Sequence, residues 1–291
     1  MKTCPVRFAL CLLCLLFSVP AAWAGAEKPA GYVQEATGQV LAARDGQSRP
    51  LNAKDPVWRG DTLATKAEST VQIMFSDGTT LVMGPESLLA VTEFVNEWGA
   101  DKALSNRMEF SYGPGVFRAV TGMISERNPA AFKVETPLGL IGIRGTELGS
   151  LVAAPAQAGG KPFGQALGDV FAAKGNAAAS LLANLWTASA GGVPREVHAH
   201  LSGFNKRPLA FTDKMGKTVN MAVGQGVTVT RERGASEAGP ISKDLDTVLP
   251  SASINTKSKV PAAYKSTLGD TPGSNKNGSE GSDSGGGGCG G

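Results

Sequence analysis

Few residues in this chain have the types and spacing that chemistry requires. His198 and His200 are the only two histidines, and two positions apart on an extended strand they point to the same side. With a carboxylate such as Glu196 beside them, imidazoles at that spacing could share zinc or another divalent ion. The simpler expectation is a solvated strand face with no metal. Cys289 sits in Gly-Gly-Gly-Gly-Cys-Gly-Gly at the extreme C-terminus. A lone thiol there, in an oxidising compartment, can cross-link two copies into a disulfide-linked homodimer, accept a modification, or do nothing. There is no Gly-x-Ser-x-Gly elbow, no His-Glu-x-x-His and no phosphate cradle, so few acid–base pairs remain beyond surface carboxylates. The expectation is a protein that is not an enzyme, with no catalytic residue and no cofactor.

The elements that would position these residues read as short strands. In 69–85, Val71, Ile73 and Phe75 alternate with polar or flexible neighbours, the period of a half-buried strand. Asp77-Gly78 then predicts a tight two-residue turn into a returning strand from Thr79. A second alternating strand runs 132–137, and the glycines of 139–146 suggest bends or close backbone approach. A first strand is expected within 32–43, Gly60-Asp61 marks a bend, and Trp58 beside it reads as a packing residue. Arg107 to Tyr112 and 115–121 predict a hairpin about Gly113-Pro114-Gly115. The segment 153–194 is rich in Ala and Gly, and Leu181, Leu182, Leu185 and Trp186 lie at helical spacing. It reads as an insertion carrying one short helix docked on the β scaffold. Strand character resumes at Arg195 and continues through hairpins to Arg231. Residues 241–265 have scattered apolar side chains that can drape over the domain.

The ends have other compositions. Residues 1–24 combine basic Lys2 and Arg7, an apolar run over 8–19, and Ala22-Trp23-Ala24, the pattern of a cleaved secretory signal peptide. The run is shorter than the ~20 residues a bilayer span needs, so no retained transmembrane span is expected. Cleavage would remove Cys4, Cys11 and Cys14 and leave the folded region without an internal disulfide. The formal charge of +3 over the whole chain falls close to neutrality without the leader, which argues against nucleic acid as a partner. Residues 266–291 are mostly Gly, Ser, Asn, Asp and Lys, a composition that reads as a disordered tail.

Taken in order, Gly38-Gln39-Val40, Gly60-Asp61 with Leu63, Phe75-Ser76-Asp77-Gly78-Thr79, Leu81 and Pro85, Thr136-Pro137 and Arg144-Gly145-Thr146-Glu147 resemble the FecR domain family. The stretches His200-Leu201-Ser202-Gly203 and Gly224-Gln225-Gly226-Val227 are similar to that family's closing strands. The resemblance implies an extracytoplasmic β-rich module. Named members relay iron-siderophore status to a cytoplasmic sigma factor. This sequence departs from them in lacking an N-terminal cytoplasmic helical segment and a retained span. The motif residues Gly60, Asp61, Asp77, Gly78, Arg144, Gly145 and Thr146 are expected to be structural, with Arg144 facing an acidic ligand as the functional alternative.

The expected architecture is a mainly β, short-strand sandwich or solenoid-like roll with one helical insertion and a disordered C-terminal tail. The expected organisation is a leader over 1–24, a FecR-like domain over 32–234 interrupted at 153–194, an irregular extension over 235–265 and the tail over 266–291. The expected role is a binding or interaction module of the cell envelope, periplasmic or secreted to the surface, whose partner is an envelope protein or surface glycan. The alternative is a structural or adhesive surface protein attached through its Gly/Cys tail.

Overall fold

The structure is a computed structural model that describes residues 27–97, 104–143, 145–203 and 207–254. The expected leader, the tail with Cys289, and Arg144 lie outside the described residues. Two long sheets, antiparallel apart from one parallel pair of strands, face each other. Across sheet A the strands run Pro56–Val57, Gly31–Thr37, Thr70–Phe75, Thr80–Met83, Gly115–Val120, Thr146–Val152, Arg195–Gly203, Gln225–Thr230 and Gly234–Ala235. Gly239–Pro240 also pairs with Gln225–Thr230. Sheet B runs Gln47–Pro50, Val40–Arg44, Thr62–Thr65, Leu88–Val95, Arg107–Tyr112, Phe132–Thr136, Gly139–Gly142, Leu209–Asp213 and Thr218–Met221. Apart from the first strands of each sheet, strand order follows chain order. The polypeptide therefore winds back and forth between the sheets as a roll.

Alternation fixes which face of each strand is buried. Phe75 and Phe117 of sheet A meet Phe110 and Tyr112 of sheet B, with ring centroids 5.0 Å apart for Phe75–Phe110 and 4.1 Å for the stacked Tyr112–Phe117 pair. Val33, Ile73, Leu81, Leu63, Val91, Val134 and Ile141 fill the layer around them.

Several local expectations are corrected. The 32–43 stretch is two strands in different sheets, Gly31–Thr37 and Val40–Arg44, separated at Gly38, which takes φ +73° against Ser69. The turn after Phe75 has three residues. Gly78 N–H donates to Phe75 O (3.0 Å) and Phe75 N–H to Thr79 O (2.8 Å). Gly78 has φ +88°, whereas Asp77 is not among the residues of positive φ. Arg107–Tyr112 and Gly115–Val120 are not a hairpin, because Gly113-Pro114 carries the chain from sheet B to sheet A. The chain then returns to sheet B, so Phe132–Thr136 lies parallel to Arg107–Tyr112.

The insertion holds two helices, Phe163–Ala172 and Gly175–Ala190, rather than one. Phe163, Leu167 and Val170 form a helical stripe that the Gly164 and Gly168 between them obscure in the sequence. Together with Ala178, Leu182 and Leu185 they cover Leu41, Ala43, Ala64 and Leu88 on the outer face of sheet B. Of the expected irregular extension over 235–265, residues 255–265 lie outside the described residues, and the described part is regular structure laid on the domain. The helix Lys243–Val248 and the 3-10 turn Leu249–Ala252 lay Leu245 and Leu249 on Val197 and Ala199, and Ala252 on Val82 and Val116. Arg195 pairs with Asp244 to hold that helix against its strand.

Candidate functional site

The Gly60-Asp61 bend is a structural anchor. Asp61 is fully buried and accepts both Arg49 terminal nitrogens (2.9 and 2.6 Å) and the Trp58 N–H (2.8 Å). Arg49 also donates to Pro56 O at 3.1 Å and lies over the Trp58 ring at 4.6 Å, with Arg44 over the same ring at 5.1 Å. A two-pronged guanidinium–carboxylate contact of this kind is strong and directional. It fastens the Gln47–Pro50 strand to the bend.

Asp77 joins two elements that the sequence separates. Its carboxylate accepts Thr79 N–H (2.9 Å), Thr79 O–H (2.8 Å) and Ile124 N–H (3.4 Å). Its carbonyl accepts Met123 N–H at 2.9 Å, and Thr79 Oγ1 accepts Gly122 N–H at 2.9 Å. The hairpin turn thus caps the helix Met123–Arg127, and a Cβ at Gly122 would collide with the Asp77 carbonyl. Burial pushes the Asp77 carboxyl above the usual aspartate value, against the pull of these hydrogen bonds.

Gly145 takes φ +80°. Thr146 N–H donates to Thr121 Oγ1 (3.0 Å), and Thr121 returns its hydroxyl to Thr146 O (3.2 Å). Thr146 Oγ1 is buried with no partner among the described residues.

The histidines do not lie on a solvated face. Glu196, His198 and His200 project between the sheets and are 0–1% exposed. The opposite face of their strand is also buried, because Val197 and Ala199 lie under Leu245 and Leu249. Glu196 accepts Thr136 O–H (2.7 Å), Leu138 N–H (2.8 Å) and a contact from His198 Nε2 (3.1 Å). His198 Nδ1 lies 3.0 Å from Ser150 Oγ, and its ring stacks on Phe211 at 5.0 Å. His200 Nδ1 donates to Met221 O at 3.0 Å, while its Nε2 has no partner among the described residues. Among the described residues no three His, Cys, Asp or Glu side chains are grouped to hold a metal.

Ser150, His198 and Glu196 are the side-chain types of an acyl-transfer triad, but all three are shielded from solvent. A substrate carbonyl cannot approach the hydroxyl, so the geometry is that of an internal brace. Sequence reading missed Arg49, Thr136 and Ser150 as partners. The available signal was the alternation of Glu196, His198 and His200 with Val197, Ala199 and Leu201, which marks a strand with two distinct faces.

Residues 61–159 match the family model described as FecR protein. The match begins at the buried Asp61, includes the Asp77 and Thr146 contacts, and stops within the insertion, ahead of its first helix. Two crystal structures of "a putative anti-sigma factor" from Parabacteroides distasonis are also similar, each at 9% identity and a TM-score of 0.40. Each covers 65% of this chain, which in turn spans only 64% and 63% of theirs. No curated protein matches the chain.

Outside the matched segment, an open groove of about 500 Å³ lies where the first strands of sheet B meet the insertion. Gln39, Ser48, Arg49 and Asn52 line one side, and Phe171 and Lys174 the other. Ser48 O–H donates to Gly175 O at 2.9 Å and pins the helix to the strand at the groove floor. With Ser48 and Arg49 already engaged, the Gln39 and Asn52 amides and the Lys174 ammonium beside the Phe171 ring suit a mixed polar and apolar guest.

Proposed function

We propose that this chain is an exported, non-enzymatic FecR-like interaction module of the cell envelope with a sensory or signalling role. The observation that carries the reading is the contrast between sealed chemistry and an open groove. The two histidines and the buried aspartates of the matched segment are engaged in holding sheets and turns together, while the groove beside Arg49 and Lys174 stays accessible. The FecR match supports the regulatory class, and the leader pattern of 1–24 supports export. Among the described residues no helix is long and apolar enough to cross a membrane. The partner in this reading is an envelope protein or a surface glycan.

Fractionation of cells carrying the tagged full chain, with intact mass of the product, tests the compartment. The expected product lacks the leader and lies outside the cytoplasm; an uncleaved cytosolic product overturns export. A photo-crosslinker at Asn52 then tests the groove against one at Lys243 on the far side. A discrete adduct from Asn52 alone is expected, and equal or no adducts from both positions overturn groove recognition.

A further inference from the structure

Each sheet ends in two edges, and an uncovered edge is a template for another strand. Three of the four ends are closed. Gln47–Pro50 is overlaid by the helix Gly175–Ala190 through the Ser48–Gly175 hydrogen bond and finishes in a proline. Sheet A begins with the two-residue strand Pro56–Val57 and, at its far end, Gln225–Thr230 is paired by both Gly234–Ala235 and Gly239–Pro240. The fourth end is Thr218–Met221. Among the described residues it pairs only with Leu209–Asp213, and it contains neither proline nor charge. The adjacent Lys217 is held by Ala235 O (2.9 Å) and Glu237 (2.7 Å).

Its hydrogen-bonding side follows from the register. Asp213 N–H donates to Lys217 O at 2.9 Å. By the alternation of antiparallel ladders, Val219 and Met221 face Leu209–Asp213, and the backbone groups of Thr218 and Asn220 face outward. The Thr218 and Asn220 side chains are exposed, while Val219 and Met221 are buried in the core. Two exposed large apolar residues flank this edge, Met215 (66% exposed) four positions before Val219 and Val223 (50%) four positions after it.

We infer that Thr218–Met221 is a self-pairing edge, which joins two copies of this chain antiparallel about a two-fold axis at Val219. That register sets Thr218 of each copy opposite Asn220 of the other, so their outward N–H and C=O groups exchange hydrogen bonds. The same register brings Met215 of each copy to the end where the other presents Val223. The apolar flanks thereby cover one another, and the two copies of sheet B become continuous. The pairing stands independently of the groove and of export.

Sedimentation equilibrium of the leader-less chain in reductant, which removes any Cys289 cross-link, measures the pairing. The wild type is expected to dimerise reversibly. Asn220→Pro removes an outward donor without touching the inner ladder, and it is expected to weaken the dimer about tenfold or more with little change in melting temperature. T218K/N220K sets like charges opposite each other across the axis and should abolish the dimer. T218K/N220E sets opposite charges there and should restore it. A wild type that stays monomeric at high micromolar concentration overturns the inference. So does a dimer indifferent to T218K/N220K, or one that T218K/N220E fails to restore.

Discussion

Between the same two sheets, the earlier end is filled with rings, whereas the later end sets a group of hydrogen-bonded polar side chains among its apolar ones. Phe94, Phe75, Phe110 and Phe132 touch in sequence at the first end, with Phe110 5.7 Å from Phe132 and 5.0 Å from Phe75, and Tyr112 stacks on Phe117 as a second ring pair. At the second, Thr136, Glu196, His198 and Ser150 form one chain of polar contacts, and Phe211 stacks on the imidazole. The two fillings resist change differently. An apolar core tolerates swaps of similar volume, whereas a buried polar chain is stable only while every member keeps its partner. The brace therefore selects one registration of the closing strands, which greasy contacts alone would specify less sharply.

The largest effect should come from emptying the aromatic end. Phe110→Ala is expected to cost about 4 kcal/mol in urea unfolding, while Phe110→Leu costs much less. At the polar end, Glu196→Ala takes the acceptor from Leu138 N–H and from His198 Nε2 and the stronger of two acceptors from the Thr136 hydroxyl, and it is expected to cost about 3 kcal/mol. Replacing the set together, Thr136→Val, Ser150→Ala, Glu196→Leu and His198→Leu, should recover most of that loss. If the quadruple variant is no better than Glu196→Ala alone, the distinction between the two fillings fails.

Smaller effects separate two buried aspartates by pH. Burial holds Asp77 above its ordinary value, so its neutral form is favoured on folding and its contribution is lost as pH rises through that raised value. The stability of Asp77→Asn should therefore improve relative to wild type as pH rises from the acid side. Asp213 is the reverse. Hydrogen bonds from the Ala235, Lys217 and Met215 N–H groups, with the Lys217 charge, hold its carboxyl low. Its contribution is present above the ordinary aspartate value and lost as pH falls through the lowered one, so the deficit of Asp213→Asn should vanish in acid. Urea midpoints over a pH series check both signs. The smallest change is expected from Thr146→Val, which removes a buried hydroxyl that has no partner among the described residues, and it should shift stability by less than about 1 kcal/mol.

Much of the strand pattern was legible because alternation is local. Val71, Ile73 and Phe75, Phe132 and Val134, and the hairpin after Pro208 all lie as their period implies. The sheet assignment of consecutive strands was not legible. Gly113-Pro114 signals a break in a ladder, but a hairpin and a crossing between sheets need the same break. Nor could the surroundings of His198 be read from its own strand. Solvent is excluded there by the facing sheet, whose Phe211 stacks on the imidazole, and the polar partners of the brace come from Thr136 and Ser150 on two other strands. Asp61 was recognised as part of a bend, but its tie to Arg49 depends on a turn at Asp45-Gly46 that brings the arginine back.

The order in which the roll is laid down has a consequence for its birth. From Thr62 onward each new strand of the two long sheets joins a neighbour already placed, on whichever sheet the chain has reached. A polypeptide delivered N-terminus first, from a ribosome or through a pore, can then assemble progressively without waiting for its last residues. The polar brace would be added near completion, when Arg195–Gly203 arrives, and would act as a latch that closes a structure already grown.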